Sequence, residues 1–194
     1  MKQQDVLDEF RAAGALLEGH FILTSGLRSA AYLQCARVLM DAGRAARLCS
    51  ALARKVSEQV SGSIDLVFSP AMGGVIVGYE MGRQLGRPSV FFERADGEFV
   101  LRRGFAIEKA ARCLMVEDVV TTGLSSRECI AAAGALGANV VAGCCLIDRS
   151  GGKVDIGVPL IALASFEVPA YPADKLPPEL LAIPAVKPGS RDLK

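Results

Sequence analysis

Several kinds of functional site are hard to build from this sequence because the residues they need are scarce. Among 194 residues there is no tryptophan and only one histidine, and the formal net charge is +1. Without an excess of positive charge, the chain has no general field that would attract nucleic acid or an anionic membrane. It also lacks the roughly 18-residue apolar run of a membrane span and, opening with MKQQDVLDEF, the basic-then-apolar start of a signal peptide. We expect no nucleic-acid partner and no membrane partner.

The cysteines do not form a metal site or a disulfide framework. No two of them are spaced as CxxC, and adjacent cysteines in a strand point to opposite faces, so they cannot bind one metal ion together. We interpret them as small buried hydrophobes in a reducing compartment, which predicts a cytoplasmic protein. The six are Cys35, Cys49, Cys113, Cys129, Cys144 and Cys145.

The remaining composition is typical of a globular domain. Hydrophobic residues make up 51% and charged residues 22% of the chain, which is enough apolar material for a substantial core and too little polarity for disorder. A length of 194 residues fits one domain of common size. We therefore expect residues 1–194 to form a single domain.

Apolar spacing predicts the elements of the first sixty residues. Residues 5–17 carry apolar side chains close to helical spacing. Residues 18–35 are typical of two short extended pieces around a Ser-Gly turn. Asp41 is expected to cap a long amphipathic helix that runs to about Val60.

Beyond residue 63, short apolar runs alternate with helical patterns. This alternation indicates a parallel sheet covered on both faces, which is an α/β fold. The proline-rich tail from residue 169 is expected to hold only one short helix, at 178–183. The predicted strands are 64–69, 89–92, 98–103 (a hairpin partner of the second), 113–117, 139–148 and 159–165, and the predicted helices are 75–86 and 122–136.

The stretch RCLMVEDVVTTGLSSR, residues 112–127, combines the features of an anion site. Its two acids are expected at the carboxyl end of a strand, where ligands of parallel α/β sheets collect. TTGLSS then begins a helix, whose first N–H groups are unpaired and lie at the positive end of the helix dipole. Gly123 lets the backbone approach a ligand, and the surrounding hydroxyls add donors. The stretch therefore predicts a phosphate cradle.

The acids beside the cradle favour a ligand with a phosphate on one side and neutral hydroxyls on the other. A ribose 5-phosphate fits, because carboxylates accept hydrogen bonds from ribose hydroxyls. Neither the GxxxxGK[ST] loop of nucleotide triphosphatases nor GxGxxG is present in the stretch. The alternative interpretation is that Glu117 and Asp118 form a solvated strand end, with Asp118 capping the helix.

CLMVEDVVTTGLSS closely resembles the signature of the type I phosphoribosyltransferases, in which an apolar strand, two acids and two apolar residues precede a hydroxyl-rich glycine turn. The resemblance implies a central, mostly parallel sheet flanked by helices, with a core at about 41–165. It also implies a small hood formed by about 1–35 and the C-terminal tail. In that family the loop binds the 5-phosphate of phosphoribosyl pyrophosphate and the acids bind its ribose hydroxyls. The residues so implicated are Glu117, Asp118, Val119, Val120, Thr121, Thr122, Gly123, Leu124 and Ser125.

Other segments resemble the orotate-specific branch of that family. GHFILTSGLRSAAY is similar to its hood, and FSPAMGGVIVGYEMGRQLG to its pyrophosphate loop and the helix that follows. LIDRSGG puts Arg149 at a strand end, where the branch uses an arginine to bind orotate. The further contacts implied are Met72, Gly73 and Gly74 for the donor, and Thr121, Tyr32 and Leu33 for orotate.

The sequence departs from the family pattern where the leaving pyrophosphate should bind. Thr24 and Gly73 stand where many members have a lysine, and FFERADGEFVLRRGF replaces the usual lysine-rich loop. Arg94, Arg102 and Arg103 of this segment are therefore our candidate catalytic cations, because arginine binds phosphate through two parallel hydrogen bonds. The alternative is that they form a solvated hairpin face.

The single histidine, His20, is a tempting acid–base group. Its surroundings, EGHFIL, are those of a strand in the hood. A proton-transfer role requires reach to the substrate, and no feature of the pattern supplies it. We therefore interpret His20 as a structural residue.

The resemblance implies transfer of the phosphoribosyl group to orotate, which gives orotidine 5-phosphate and pyrophosphate in pyrimidine biosynthesis. It also implies a homodimer whose loop residues reach the partner's site. Mg²⁺ is expected as cofactor, bound through substrate oxygens and water without a direct protein ligand. Two alternatives stay open: an acceptor such as a purine, which leaves Arg149 unexplained, and a non-catalytic sensor of phosphoribosyl pyrophosphate, which the neutral net charge disfavours.

Overall fold

The computed structural model describes residues 1–23 and 26–187, and within them the chain forms nine strands and six helices. The strands belong to two separate sheets. In chain order the elements are α1 (Gln3–Ala12), β1 (Leu16–Ile22), β2 (Arg28–Leu33), α2 (Cys35–Leu39), α3 (Ala42–Gln59), β3 (Leu66–Pro70), α4 (Gly74–Leu85), β4 (Ser89–Ala95), β5 (Glu98–Leu101), β6 (Arg112–Val120), α5 (Leu124–Ala135), β7 (Asn139–Asp148), β8 (Leu160–Ser165), β9 (Ala170–Tyr171) and α6 (Pro178–Leu181).

The central sheet has six strands in the order β5-β4-β3-β6-β7-β8. Its neighbouring strands are parallel except for β4 and β5, which form the predicted antiparallel hairpin. Side chains of β6 alternate between two apolar clusters: Leu114 and Val116 pack with residues of α3 and α4, whereas Cys113 and Met115 pack with residues of α5. Helices thus cover both faces of a mostly parallel sheet, and the predicted fold class is confirmed.

The long helix α3 shows how local sequence fixes this layer. Asp41 caps it as predicted, since its Oδ1 accepts a hydrogen bond of 2.8 Å from the backbone N–H of Arg44. Buried residues recur at helical spacing at Ala45, Leu48 and Leu52. The cap therefore sets where the helix begins, and the apolar stripe sets which face meets the sheet.

The second sheet is a small antiparallel hood with the order β1-β2-β9. The C-terminal segment adds a parallel bridge between Val186 and Phe21, with the N–H of Val186 donating to the carbonyl of His20 at 2.8 Å. The Nδ1 atom of buried His20 lies 3.0 Å from the carbonyl oxygen of Ile183. The tail holds the predicted short helix, α6, and in addition the two-residue strand β9 and the bridge at Val186, through which it joins the hood.

Several elements differ from the sequence prediction. Helix α1 ends at Ala12 instead of residue 17, because Gly14 has a φ of 60° and turns the chain into β1. Strand β6 continues past Glu117 to Val120, where it still pairs with β7. The short helix α2 was not predicted. None of the helices in the described ranges is long and apolar enough to cross a membrane.

Candidate active site

The two acids of the opening motif lie inside β6 and point to opposite faces of the sheet, as consecutive strand residues must. Glu117 faces α5 and is only 9% exposed, and its carboxylate accepts a short hydrogen bond from the hydroxyl of fully buried Ser126. Burial raises the pKa of Glu117 to about 7; the Ser126 hydrogen bond opposes this shift and the neighbouring charge of Asp118 adds to it. Glu117 is therefore a buried, weakly acidic group held by α5.

Asp118 lies on the other face, against the 71–74 turn and the start of α2. A Cβ atom placed on Gly73 would be 3.3 Å from both carboxylate oxygens of Asp118. The Oδ1 atom accepts a hydrogen bond of 2.8 Å from the N–H of Val119, and the buried thiol of Cys35 lies close to the carboxylate. Burial raises the pKa of Asp118. Asp118 thus links the motif strand to the pyrophosphate-loop turn, and a side chain at position 73 would crowd it.

The predicted cradle is an exposed turn ahead of α5. Thr121, Thr122, Leu124 and Ser125 are exposed, and Gly123 is the residue before the helix, with a φ of 69°. Its backbone leaves the first N–H groups of α5 facing out of the turn, which is the arrangement that binds anions. The structure therefore brings the predicted phosphate-binding residues together, with Val120 buried just before them.

The second predicted anion turn, residues 71–74, connects β3 to α4. Met72 is 84% exposed, and α4 begins at Gly74. A Cβ atom on Gly74 would lie 3.2 Å from the carbonyl oxygen of Val116 and 3.0 Å from the Cβ of Ser69. The turn is pressed against the centre of the sheet, so it lies next to the strand that carries the acids.

Arg149 follows β7 directly beside the cradle. Its N–H donates to the carbonyl of Val120 at 2.8 Å, which aligns it with the end of β6. The side chain is half-buried near Tyr32 and Cys35, its buried Nε atom has no hydrogen-bond partner among the described residues, and burial lowers its pKa. A guanidinium in this state is suited to an anionic ligand. Leu33, in contrast, packs in the hydrophobic core, so Tyr32 alone of the two predicted hood residues lies near Arg149.

The three arginines of the hairpin segment are not brought together. Arg94 forms an ion pair with Glu128 of α5, and Arg103 forms one with Glu93 at 2.7 Å. Arg102 is exposed and has no ion-pair partner among the described residues. Thr24, the other departure from the family pattern, lies outside those residues. The fixed cations for pyrophosphate thus stay a prediction.

Three residues of the site escaped the sequence analysis. Cys35 was interpreted only as an apolar core residue, yet its thiol lies close to the carboxylate of Asp118. Ser126 was counted among the cradle hydroxyls, but it is buried and bonded to Glu117. Asp148 lies next to Arg149 and is 3% exposed. An acid that ends an apolar strand directly before the arginine predicted to bind orotate was the available signal.

Comparison with known proteins agrees with this geometry. Residues 38–158 match the phosphoribosyl transferase domain family. The chain is 60% identical over 193 residues to the orotate phosphoribosyltransferase of Maricaulis maris and 62% identical over 193 residues to orotate phosphoribosyltransferase 2 of Mesorhizobium japonicum, with 100% of both chains covered in each case. The crystal structure of orotate phosphoribosyltransferase from Aeropyrum pernix is similar with a TM-score of 0.71 at 25% identity, covering 82% of this chain and 93% of that one. From the motif, the fold and these full-length similarities, the chain belongs to the phosphoribosyltransferase family, in its orotate phosphoribosyltransferase branch.

Proposed function

We propose that the protein transfers the phosphoribosyl group of phosphoribosyl pyrophosphate to orotate, forming orotidine 5-phosphate and pyrophosphate. A bond forms between the anomeric carbon and a ring nitrogen of orotate, which releases its proton to solvent, while the bond to the pyrophosphate oxygen breaks and pyrophosphate leaves with the electron pair. The anomeric carbon gains positive charge in the transition state. The protein therefore contributes by holding two anionic substrates in register and excluding water.

The donor is assigned to the edge of the sheet formed by β3 and β6. The exposed turn 121–125 suits its 5-phosphate, and the turn 71–74 suits its pyrophosphate, since each has a glycine that lets the backbone approach an anion. Asp118 lies between the two turns and is assigned to the ribose hydroxyls. Glu117 supports the site from the opposite face through Ser126.

The observation that carries the acceptor assignment is the unpartnered Nε of Arg149 beside the cradle. A half-buried guanidinium without an acid partner is costly unless a ligand supplies the anion. Orotate has a carboxylate and a planar ring, which suit Arg149 and the ring of Tyr32. Thr121, at the rim of the cradle, can donate to the same base.

Mg²⁺ fits this site through the donor substrate. Across the described residues no three His, Cys, Asp or Glu side chains lie together as metal ligands, and Glu117 is already bonded to Ser126. The ion would be held beside Asp118 by substrate oxygens and water, as is common for Mg²⁺. When bound, it would neutralise the charge of the pyrophosphate.

A homodimer is the assembly we propose. Met72 of the 71–74 turn is 84% exposed, and Ile76 and Tyr79 in the first turns of α4 are 50% and 70% exposed, so the three form an exposed apolar stripe beside that turn. Burying the stripe against a second copy would place that copy next to the 71–74 turn. Tyr79→Glu should lower the mass measured by light scattering, and an unchanged mass would contradict this interface. The six reduced, buried cysteines fit a cytoplasmic location.

The activity is tested by following orotate absorbance with phosphoribosyl pyrophosphate, with and without Mg²⁺. Arg149→Ala should raise the KM for orotate by about tenfold or more, the value of a charge-assisted hydrogen bond, and leave the KM for the donor nearly unchanged. Arg54→Ala, which removes an exposed arginine of α3, is the matched control. Consumption of adenine or hypoxanthine in preference to orotate would refute the acceptor assignment.

A further inference from the structure

Asp148 is a buried acid that the reaction does not require to touch substrate. It ends β7 and is aligned with Val120 of β6 on one side and Ser165 of β8 on the other. Its carbonyl oxygen accepts a hydrogen bond of 2.8 Å from the N–H of Phe166. The backbone of Asp148 is therefore fixed from both neighbouring strands, at the position directly before Arg149.

The carboxylate of Asp148 is occupied entirely by the loop that follows it. Oδ1 accepts from the N–H of Ser150 at 2.7 Å and from its hydroxyl at 2.6 Å, and Oδ2 accepts from the N–H of Gly152 at 2.7 Å. Its three hydrogen-bond partners are all neutral, and no salt bridge to Asp148 occurs in residues 1–23 and 26–187. A buried acid that binds only backbone and hydroxyl donors of one loop serves to hold that loop's shape.

Ser150 passes this constraint further along the chain. Its Oγ atom accepts hydrogen bonds from the N–H groups of Lys153 at 3.1 Å and Val154 at 3.0 Å, while its hydroxyl donates to Asp148. Gly151 and Gly152 have φ values of 67° and 81°, so the chain doubles back here. The carboxylate of Asp148 thus fixes residues 150–154, in part directly and in part through Ser150.

The far end of the same loop touches the phosphate cradle. A Cβ atom on Gly123 would lie 2.6 Å from Val154 Cγ2 and 2.9 Å from Ile156 Cγ2. Arg127 joins the two segments, because its Nη1 donates to the carbonyl of Thr122 at 3.1 Å and to that of Asp155 at 2.7 Å. The loop therefore has Arg149 at one end and the cradle at the other.

We propose that Asp148 is the positioning residue of the acceptor subsite: through Ser150 and Gly152 it holds the 149–156 loop so that Arg149 keeps its orientation beside the cradle. The inference rests on the proposed orotate activity. Asp148 acts through Arg149 and does not contact substrate. A purely structural role would instead lower the stability of the fold and affect both substrates alike.

Asp148→Asn tests the inference with almost no change of volume. The amide has one acceptor oxygen and brings an N–H group against donors of the loop, so at least one hydrogen bond is lost. We expect the KM for orotate to rise about tenfold and the KM for phosphoribosyl pyrophosphate to change less than about threefold. Asp155→Asn is the matched control, because exposed Asp155 accepts one hydrogen bond, from Gly157, in the same loop.

A double-mutant cycle with Arg149→Ala separates positioning from stability. If Asp148 acts through Arg149, Asp148→Asn should raise the KM for orotate by less than about twofold further in the Arg149→Ala background. Additive effects, or equal changes in both KM values, would overturn the inference. If Asp148→Asn does not fold, Ser150→Ala removes the hydroxyl that joins Asp148 to Lys153 and Val154. It should raise the KM for orotate without a comparable rise in the KM for phosphoribosyl pyrophosphate, and equal changes in the two would also overturn the inference.

The two proposals fail in different ways. A wild-type protein that does not consume orotate refutes the proposed activity, and this inference with it. A wild-type protein that is active and sensitive to Arg149→Ala, but for which Asp148→Asn behaves as Asp155→Asn does, refutes the positioning role alone.

Discussion

Replacing Glu117 by glutamine should make the protein more stable at pH 8 and leave its stability unchanged near pH 4.5. The carboxyl group is 9% exposed, and burial raises its pKa from 4.5 to about 7. Between about pH 4.5 and pH 7 the folded protein keeps a proton on Glu117 that the unfolded chain has released. The free energy of unfolding therefore falls as pH rises from 4.5 to 7, and the contribution is constant above pH 7.

The size of the effect follows from the same pKa values. The pKa of Glu117 is about 2.5 higher in the folded protein than in the unfolded chain. At 1.36 kcal/mol per pH unit, this difference destabilises the folded protein by roughly 3 kcal/mol at pH 8. Glu117→Gln removes the ionisable group, keeps the shape of the side chain and can still bond to Ser126. The variant should therefore gain up to roughly 3 kcal/mol over the wild type at pH 8.

Urea unfolding followed by circular dichroism at fixed protein concentration, between pH 4.5 and pH 8.5, measures this difference. The control is Glu98→Gln, which removes an exposed acid from the hairpin and should change the free energy of unfolding at pH 8 far less than Glu117→Gln does. A constant difference for Glu117→Gln, or a variant less stable than the wild type at pH 8, would refute the reasoning from burial.

Three further changes test the site. Asp118→Asn should lower kcat about a hundredfold with an unchanged far-UV spectrum, and near-normal turnover in the orotate assay would contradict its assignment. Gly123→Ala should cost roughly 1–3 kcal/mol in thermal unfolding and raise the KM for the donor, because its methyl group meets Val154 at 2.6 Å; Gly97→Ala, also at positive φ but in open space, should cost less. Arg94→Met breaks an ion pair whose side chains are both 40% exposed, so the free energy of unfolding should fall by less than about 1 kcal/mol. If Arg94 acts on the leaving pyrophosphate, the same change should clearly lower the rate of a single turnover, and an unchanged rate would contradict that role.

The sequence was informative wherever a local rule decides the structure. Asp41 caps α3 because its side chain reaches an N–H three residues away, and Gly123 lies at the start of α5 because its backbone has a positive φ. Both features are readable from a few adjacent residues. The α/β class followed in the same way from strands and helices that alternate along the chain.

The sequence was misleading where a distant strand decides the outcome. The apolar run of β6 ends at the acids, which suggested a strand end, but pairing of Val119 and Val120 with β7 carries the strand three residues further. Similarly, β9 is held only by two pairs with β2, Arg28 with Tyr171 and Ser29 with Ala170. Pairing partners that lie far apart in the chain leave little trace in local composition.

The candidate site likewise contains residues that local sequence predicts and contacts that depend on distant residues. The phosphate turn, the acids and Arg149 are recognisable from the motif and from strand ends. The contacts of the charged groups are not recognisable in this way. The hydroxyl of Ser126 points inward to Glu117, and Arg94 forms an ion pair with Glu128, 34 residues away. These contacts depend on which faces of β4, β6 and α5 meet.

The closure of the hood by the C-terminal tail also bears on the order in which the protein is made. Strands β1 and β2 leave the ribosome before β9 and Val186, which can join them only after about 140 or more further residues have been translated. The contact between His20 and Ile183 spans 163 positions. During synthesis the hairpin of β1 and β2 must wait with an unpaired edge, which exposes it to pairing with another molecule.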